Sequence, residues 1–137
     1  MAYPNSNLEQ YRKTAVNSAS PLQLVIMLYD GAIKQMNAGK RAMLQENVFE
    51  QNNCLVKAQK IIAELISCLD MQQGGEISQN LLALYSFCYN KLVESNVEDD
   101  PNLIDQVIVV LSNLRSGWVD LELATRTSQS EPYHEAA

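Results

Sequence analysis

The chain has 137 residues, 47% of them apolar and 19% charged, with five glycines and four prolines. That size suits one domain with its own core, and so few helix-breaking residues leave little turn chemistry for an all-β fold. The formal charge of −6 is divided unevenly, since residues 1–60 carry seven Lys/Arg against four Asp/Glu and the remainder three against twelve. Nucleic acid is thereby excluded as a partner, because phosphate binding needs clustered cations and Lys40-Arg41 is too small a cluster.

Residues 1–19 lack helical periodicity and are predicted to form a flexible N-terminal arm, or lid, carrying Leu8, Tyr11 and Val16. The first helix is predicted over 20–46. Ser20 supplies an N-cap, Pro21 the first helical position and Gln23 the third residue of a capping box. Leu22, Val25, Ile26, Tyr29, Ile33, Met36, Met43 and Leu44 then recur at helical spacing as a core face.

The second helix, 48–69, places Gln51, Leu55, Ala58, Ile62, Leu65 and Leu69 at alternating steps of four and three, a bundle seam. Gly74-Gly75 marks the following loop. The third helix, 76–96, repeats the pattern through Ile77, Leu81, Leu84, Cys88 and Leu92. Glu98-Asp99-Asp100 reads as a solvated acidic cap before Pro101 rather than as a metal or acid-base cluster.

The fourth helix, 101–125, uses Ile104, Val107, Leu111, Leu114, Trp118 and Leu121. Its "VIVVL" run, Val107 to Leu111, favours strands by composition, but the flanking helical spacing decides for helix. Residues 126–137 are predicted to be a disordered tail. Four helices joined by short loops give an all-α, antiparallel up-down-up-down four-helix bundle.

The three cysteines, Cys54, Cys68 and Cys88, form no CxxC pair, and fourteen helical residues hold Cys54 and Cys68 about 21 Å apart. They read as reduced core thiols, consistent with a cytoplasmic protein. No stretch has the length of a membrane helix, so no membrane insertion is expected. The single histidine, His134, cannot make a di-metal bundle site, and no nucleophile elbow, phosphate loop or dinucleotide fingerprint is present. An enzyme is not expected, nor is a cofactor.

What remains is surplus apolar surface, because a bundle helix needs about three apolar positions in seven for its core. Leu24, Met27 and Leu28, grouped around Gly31, project away from Tyr29. On the third helix Leu82, Tyr85, Tyr89 and Val93 form a second stripe, and on the fourth Leu103 and Val110 lead toward Gly117. The arm covers this surface, or it is a groove for another chain's amphipathic helix, and the two readings are compatible if the arm is a removable lid. Gly31 serves close approach by that chain or packing within the bundle.

These residues together resemble a known family. Tyr11, Ser20-Pro21, Leu24, Leu28-Tyr29-Asp30-Gly31-Ala32, Ala58, Ile61, Ile62, Leu65, Gly74-Gly75, Ile77, Asn80-Leu81, Leu84-Tyr85, Leu114 and Trp118 occur in the order and spacing of the flagellin-specific export chaperones, the FliS family. The resemblance spans about residues 11 to 118. It implies a cytoplasmic bundle that binds the C-terminal, disordered segment of flagellin and prevents its premature polymerisation. It also implies assisted delivery to the type III export gate, whose cytoplasmic domain is a docking partner; other flagellar assembly regulators are further partners to consider.

In the family the arm occupies part of the client site through a tyrosine that matches Tyr11. With the surplus apolar positions above, the expected partner-binding residues are Leu8, Tyr11, Leu24, Met27, Leu28, Gly31, Leu82, Tyr85, Tyr89 and Val110. The competing expectation is a homodimeric or adaptor bundle without a flagellin client.

Overall fold

The computed structural model describes residues 19–130. They form four helices and, among the described residues, no strand: α1 (Pro21–Leu44), α2 (Val48–Ser67), α3 (Gly75–Glu98) and α4 (Pro101–Ser130). Each helix packs on its neighbours in the chain, and α1 also packs on α4, which closes a ring. Lys40 pairs with Asp105 at 2.8 Å, and Arg115 pairs with Asp30. Moving back along α1 thus moves forward along α4, the antiparallel register expected of an up-down-up-down bundle.

The helix ends have identifiable causes. Ser20 accepts from the Gln23 amide at 3.1 Å while its own amide donates to Gln23 Oε1 at 3.0 Å, the complete capping box. Asn47 caps α2 by accepting from the Glu50 amide at 3.2 Å. Asp100 accepts from the Asn102 amide at 2.9 Å at the start of α4, so this member of the acidic run does cap a helix. Before α3, a Cβ on Gly74 would lie 1.7 Å from Ser78 Oγ and 2.6 Å from the Asp70 carbonyl oxygen, while Gly75 has φ +53°. The two glycines thus serve different needs, close approach at one and a left-handed backbone at the other.

The largest difference from the predicted boundaries is at α4, which runs to Ser130 rather than ending at 125. The α1–α4 ion pairs set a register that brings Ser20 opposite Thr125, as their shared cleft confirms. Helical residues beyond that point have no α1 turn to pack against and therefore need no apolar period. Glu122 and Arg126 instead pair one turn apart at 2.7 Å. The predicted arm, and residues 131–137 of the predicted tail, lie outside the described residues.

Tyr29, Met36, Leu55, Ile62, Tyr85, Cys88, Leu92, Ile104, Val107 and Leu111 fill the core. Three residues expected there are exposed: Leu44 by 64%, Ile77 by 71% and Leu121 by 50%. In each case a neighbouring group takes the inward position. Met43 does so beside Leu44. In the first turn of α3 it is Ser78, whose hydroxyl donates to the Asp70 carbonyl at 2.9 Å, and in α4 it is Glu122, with 14% of its side chain exposed. Buried Gln51 donates to Asn96 Oδ1 at 3.0 Å and Asp99 Oδ1 at 2.8 Å, tying α2 to the end of α3.

At the centre of the bundle the hydroxyls of Tyr29 and Tyr85 are 2.6 Å apart, and their rings meet edge to face. This corrects the expectation that Tyr85 lines a groove: only 2% of it is exposed. Burial pushes both phenols above the ordinary value of 10.0. Burial likewise pushes the Cys88 thiol from 9.0 up to about 11. Cys54 is also buried, but Cys68 is exposed at the end of α2, so it is not the core thiol that was expected.

Three outcomes follow from this core. Replacing Tyr85 by Phe strands the Tyr29 hydroxyl in the core and is expected to cost about 1–3 kcal/mol in urea unfolding, whereas the Tyr29→Phe/Tyr85→Phe double variant loses less than the two singles combined. Raised native-state pKa values mean that the folded chain holds protons the unfolded chain releases. Stability is therefore full below pH 9 and falls as pH rises through 10 and above, and Cys88→Ala and Tyr85→Phe should flatten that decline in thermal melts. Under native conditions a thiol reagent should label Cys68 rapidly and Cys54 and Cys88 only on unfolding.

Two grooves flanking the second helix

The surplus apolar residues of α1 and α3 fall on opposite sides of α2. Between α1 and α2, Leu24, Met27 and Leu28 line a cleft of about 370 Å³ with Glu64 and Cys68. Steps of three and four residues put these α1 side chains on one flank, turned away from the Tyr29 face. Leu28 also packs against the core, while Met27 stands 39% exposed. One turn onward, a Cβ on Gly31 would lie 3.3 Å from Ile61 Cδ1, so this glycine belongs to the α1–α2 contact just beside the cleft.

The tighter approach of the two helices is elsewhere, at a residue the sequence reading passed over. Gly39 is buried, and a Cβ there would lie 2.8 Å from Leu55 Cδ2. Its signal was the small-residue spacing Ala32, Ala38-Gly39 and Ala42 along α1, the kind that admits close helix packing.

Between α2 and α3, a second cleft of about 320 Å³ is lined by Ala63, Ile66, Ser86, Tyr89 and Asn90, all uncharged. Leu82, Tyr89 and Val93 follow steps of seven and four, which keeps them within a band about 40° wide at 100° per residue. Tyr85 lies about 60° from the centre of that band, toward Cys88 and Leu92, and hence in the core. Tyr89 and Val93 are 36% and 39% exposed, and Phe49 and Val97, at the same end of α2 and α3, are 80% and 77% exposed. Asn96 donates to Asn52 Oδ1 at 2.9 Å across these two helices.

Val110 does not join this surface. It is partly buried against the core on α4, which packs on α1 and α3 and lies across the ring from α2. Leu103, grouped with it in the sequence, is 8% exposed and thus part of the interior. Leu8 and Tyr11 lie outside the described residues.

The arrangement suits binding rather than chemistry: two parallel troughs, apolar at the floor, separated by one helix. Helices pack at interaxial distances of about 8–10 Å, so a trough between two of them is the natural seat for a third. No group of three or more His, Cys, Asp or Glu is placed to hold a metal ion among the described residues, and no described helix is long and apolar enough to cross a membrane. Trp118 packs partly buried against the core, with its indole N–H shielded from water beside the Tyr29 hydroxyl.

Comparison with known proteins identifies the family. Residues 4–125 match the family described as "Flagellar protein FliS". The chain is 40% identical over 116 residues to the flagellar secretion chaperone FliS of Vibrio cholerae, covering 82% of this chain and 85% of that protein. It is 36% identical over 121 residues to the flagellar secretion chaperone FliS of Salmonella typhimurium, covering 85% and 90%. The Bacillus subtilis protein of the same name is 32% identical over 108 residues, covering 79% and 80%. A four-helix bundle that keeps two apolar troughs open to water, with these matches over most of its length, belongs to the FliS family of flagellar export chaperones, which are not enzymes.

Proposed function

We propose that the chain is a cytoplasmic chaperone for flagellin, holding its C-terminal segment in the grooves on either side of α2. The observation that carries this reading is the pair of troughs, with Met27, Tyr89 and Val93 left more than a third exposed in a protein of a secretion-chaperone family. Burying an aliphatic side chain stabilises by about 1.5–3 kcal/mol, so these residues favour any amphipathic helix that covers them. A segment that is disordered alone loses conformational entropy on binding, and an interface spread over two grooves offsets that loss.

Covered in this way, the flagellin segment is withheld from polymerisation until the complex reaches the cytoplasmic domain of the export gate. The N-terminal arm, through Leu8 and Tyr11, competes with the client for the α1 side of the surface.

Co-expression with full-length flagellin should yield a one-to-one complex, and removal of the flagellin C-terminal segment should abolish co-purification; retention of the truncated client overturns the reading. Met27→Ser and Val93→Ser, at exposed positions, should each weaken binding of that segment about tenfold, in line with about 1.4 kcal/mol per decade, with helicity unchanged by circular dichroism. The Leu8→Ala/Tyr11→Ala variant is expected to change client affinity in calorimetry with helicity intact, and wild-type affinity removes the arm from the mechanism.

A further inference from the structure

The two chain reversals at one end of the bundle, taken with the helix ends that flank them (residues 44–50 from α1 into α2, residues 97–101 from α3 into α4), carry five carboxylates and no Lys or Arg. They are also strongly apolar in what they expose. Leu44 is 64% exposed, Val48 70% and Val97 77%. Between the reversals lies a socket of about 230 Å³, with Met43, Leu44, Val48 and Pro101 supplying apolar walls and Glu46 and Asp99 its acidic rim. Arg41 is one turn back along α1 from Leu44, and Lys40 is taken up by Asp105.

We propose that this end of the bundle is a second docking site, for a basic amphipathic helix of a partner protein other than the occupant of the α2 grooves. One apolar side chain of that helix enters the socket, and Lys or Arg residues on the flanking turns meet Glu46, Glu98 and Asp99. Charge complementarity selects this occupant, since opposite charge around an apolar contact sets orientation and excludes acidic competitors.

The chain's own ends do not fit. Arg12-Lys13 lies seven residues before Ser20, a reach of about 25 Å at full extension, while α1 places the socket about 36 Å from Ser20. Residues 131–137 contain carboxylates and no Lys or Arg.

The test is an amide-resolved NMR titration of the full chain with a synthetic amphipathic peptide of Leu and Lys, and with its Leu and Glu counterpart. The Lys peptide should shift residues 43–51 and 97–102, with affinity falling as salt rises. The Glu peptide should leave those residues unmoved. Leu44→Ser and, separately, Glu46→Lys alter exposed positions, keep the helical content, and should each weaken the Lys peptide about tenfold.

Shifts centred on Ala63, Ser86 and Tyr89, equal binding of the two peptides, or unchanged affinity in both variants overturns the proposal. So does a concentration-dependent dimer in sedimentation that Leu44→Ser abolishes, since the socket would then belong to a second copy of this chain.

Discussion

The hydroxyl pair of Tyr29 and Tyr85 fixes what every other surface of the bundle can be. It joins α1 to α3, the two helices that lie across the ring from one another, by a hydrogen bond inside the core. A buried hydroxyl must find a partner, so neither helix can rotate about its axis without stranding the other's phenol. With those rotations set, Leu24 and Met27 turn to one side of α2, and Leu82, Tyr89 and Val93 to the other. Binding surface and core are therefore not independent choices, because the residue that closes the interior also aims the exterior.

A protein built to hold a partner segment has a conflicting demand on its apolar residues. Full burial would spend them on stability, while full exposure would invite self-association. Here the groove residues are intermediate: Leu24, Leu28 and Leu82 are half-buried, and Met27, Tyr89 and Val93 are open by little more than a third. Polar contacts carry the specificity of the bundle around them. Gln51 with Asn96 and Asp99, Lys40 with Asp105, and Arg115 with Asp30 each link different helices and each reports register. The partly exposed ion pairs add at most about 1 kcal/mol apiece, so their role is alignment more than strength.

Much of this is legible in the local pattern of residues. Ser20, Pro21 and Gln23 wrote a capping box that forms as read, and the alternation of three and four along the second helix buried Leu55, Ala58, Ile62 and Leu65 as expected. Tyr85 is the instructive failure. Its spacing from Leu82 and Tyr89 places it between two stripes, and a phenol is amphipathic enough to serve either. Only the presence of Tyr29 56 residues earlier, which no local pattern can reveal, decides for the core. Gly39 was missed for the same kind of reason, since its need is set by Leu55 on another helix.

Four helices, their antiparallel order, the identity of most core residues and an apolar surface in excess of one core are all written in the local pattern of residues. These depend on periodicity, caps and loop length, all properties of neighbouring residues. The tertiary structure decided where the excess goes: into two troughs divided by α2, with Val110 withdrawn toward the core and an acidic apolar socket left at the far end. Those placements depend on helix rotation and register, and contacts between residues far apart in the chain set both.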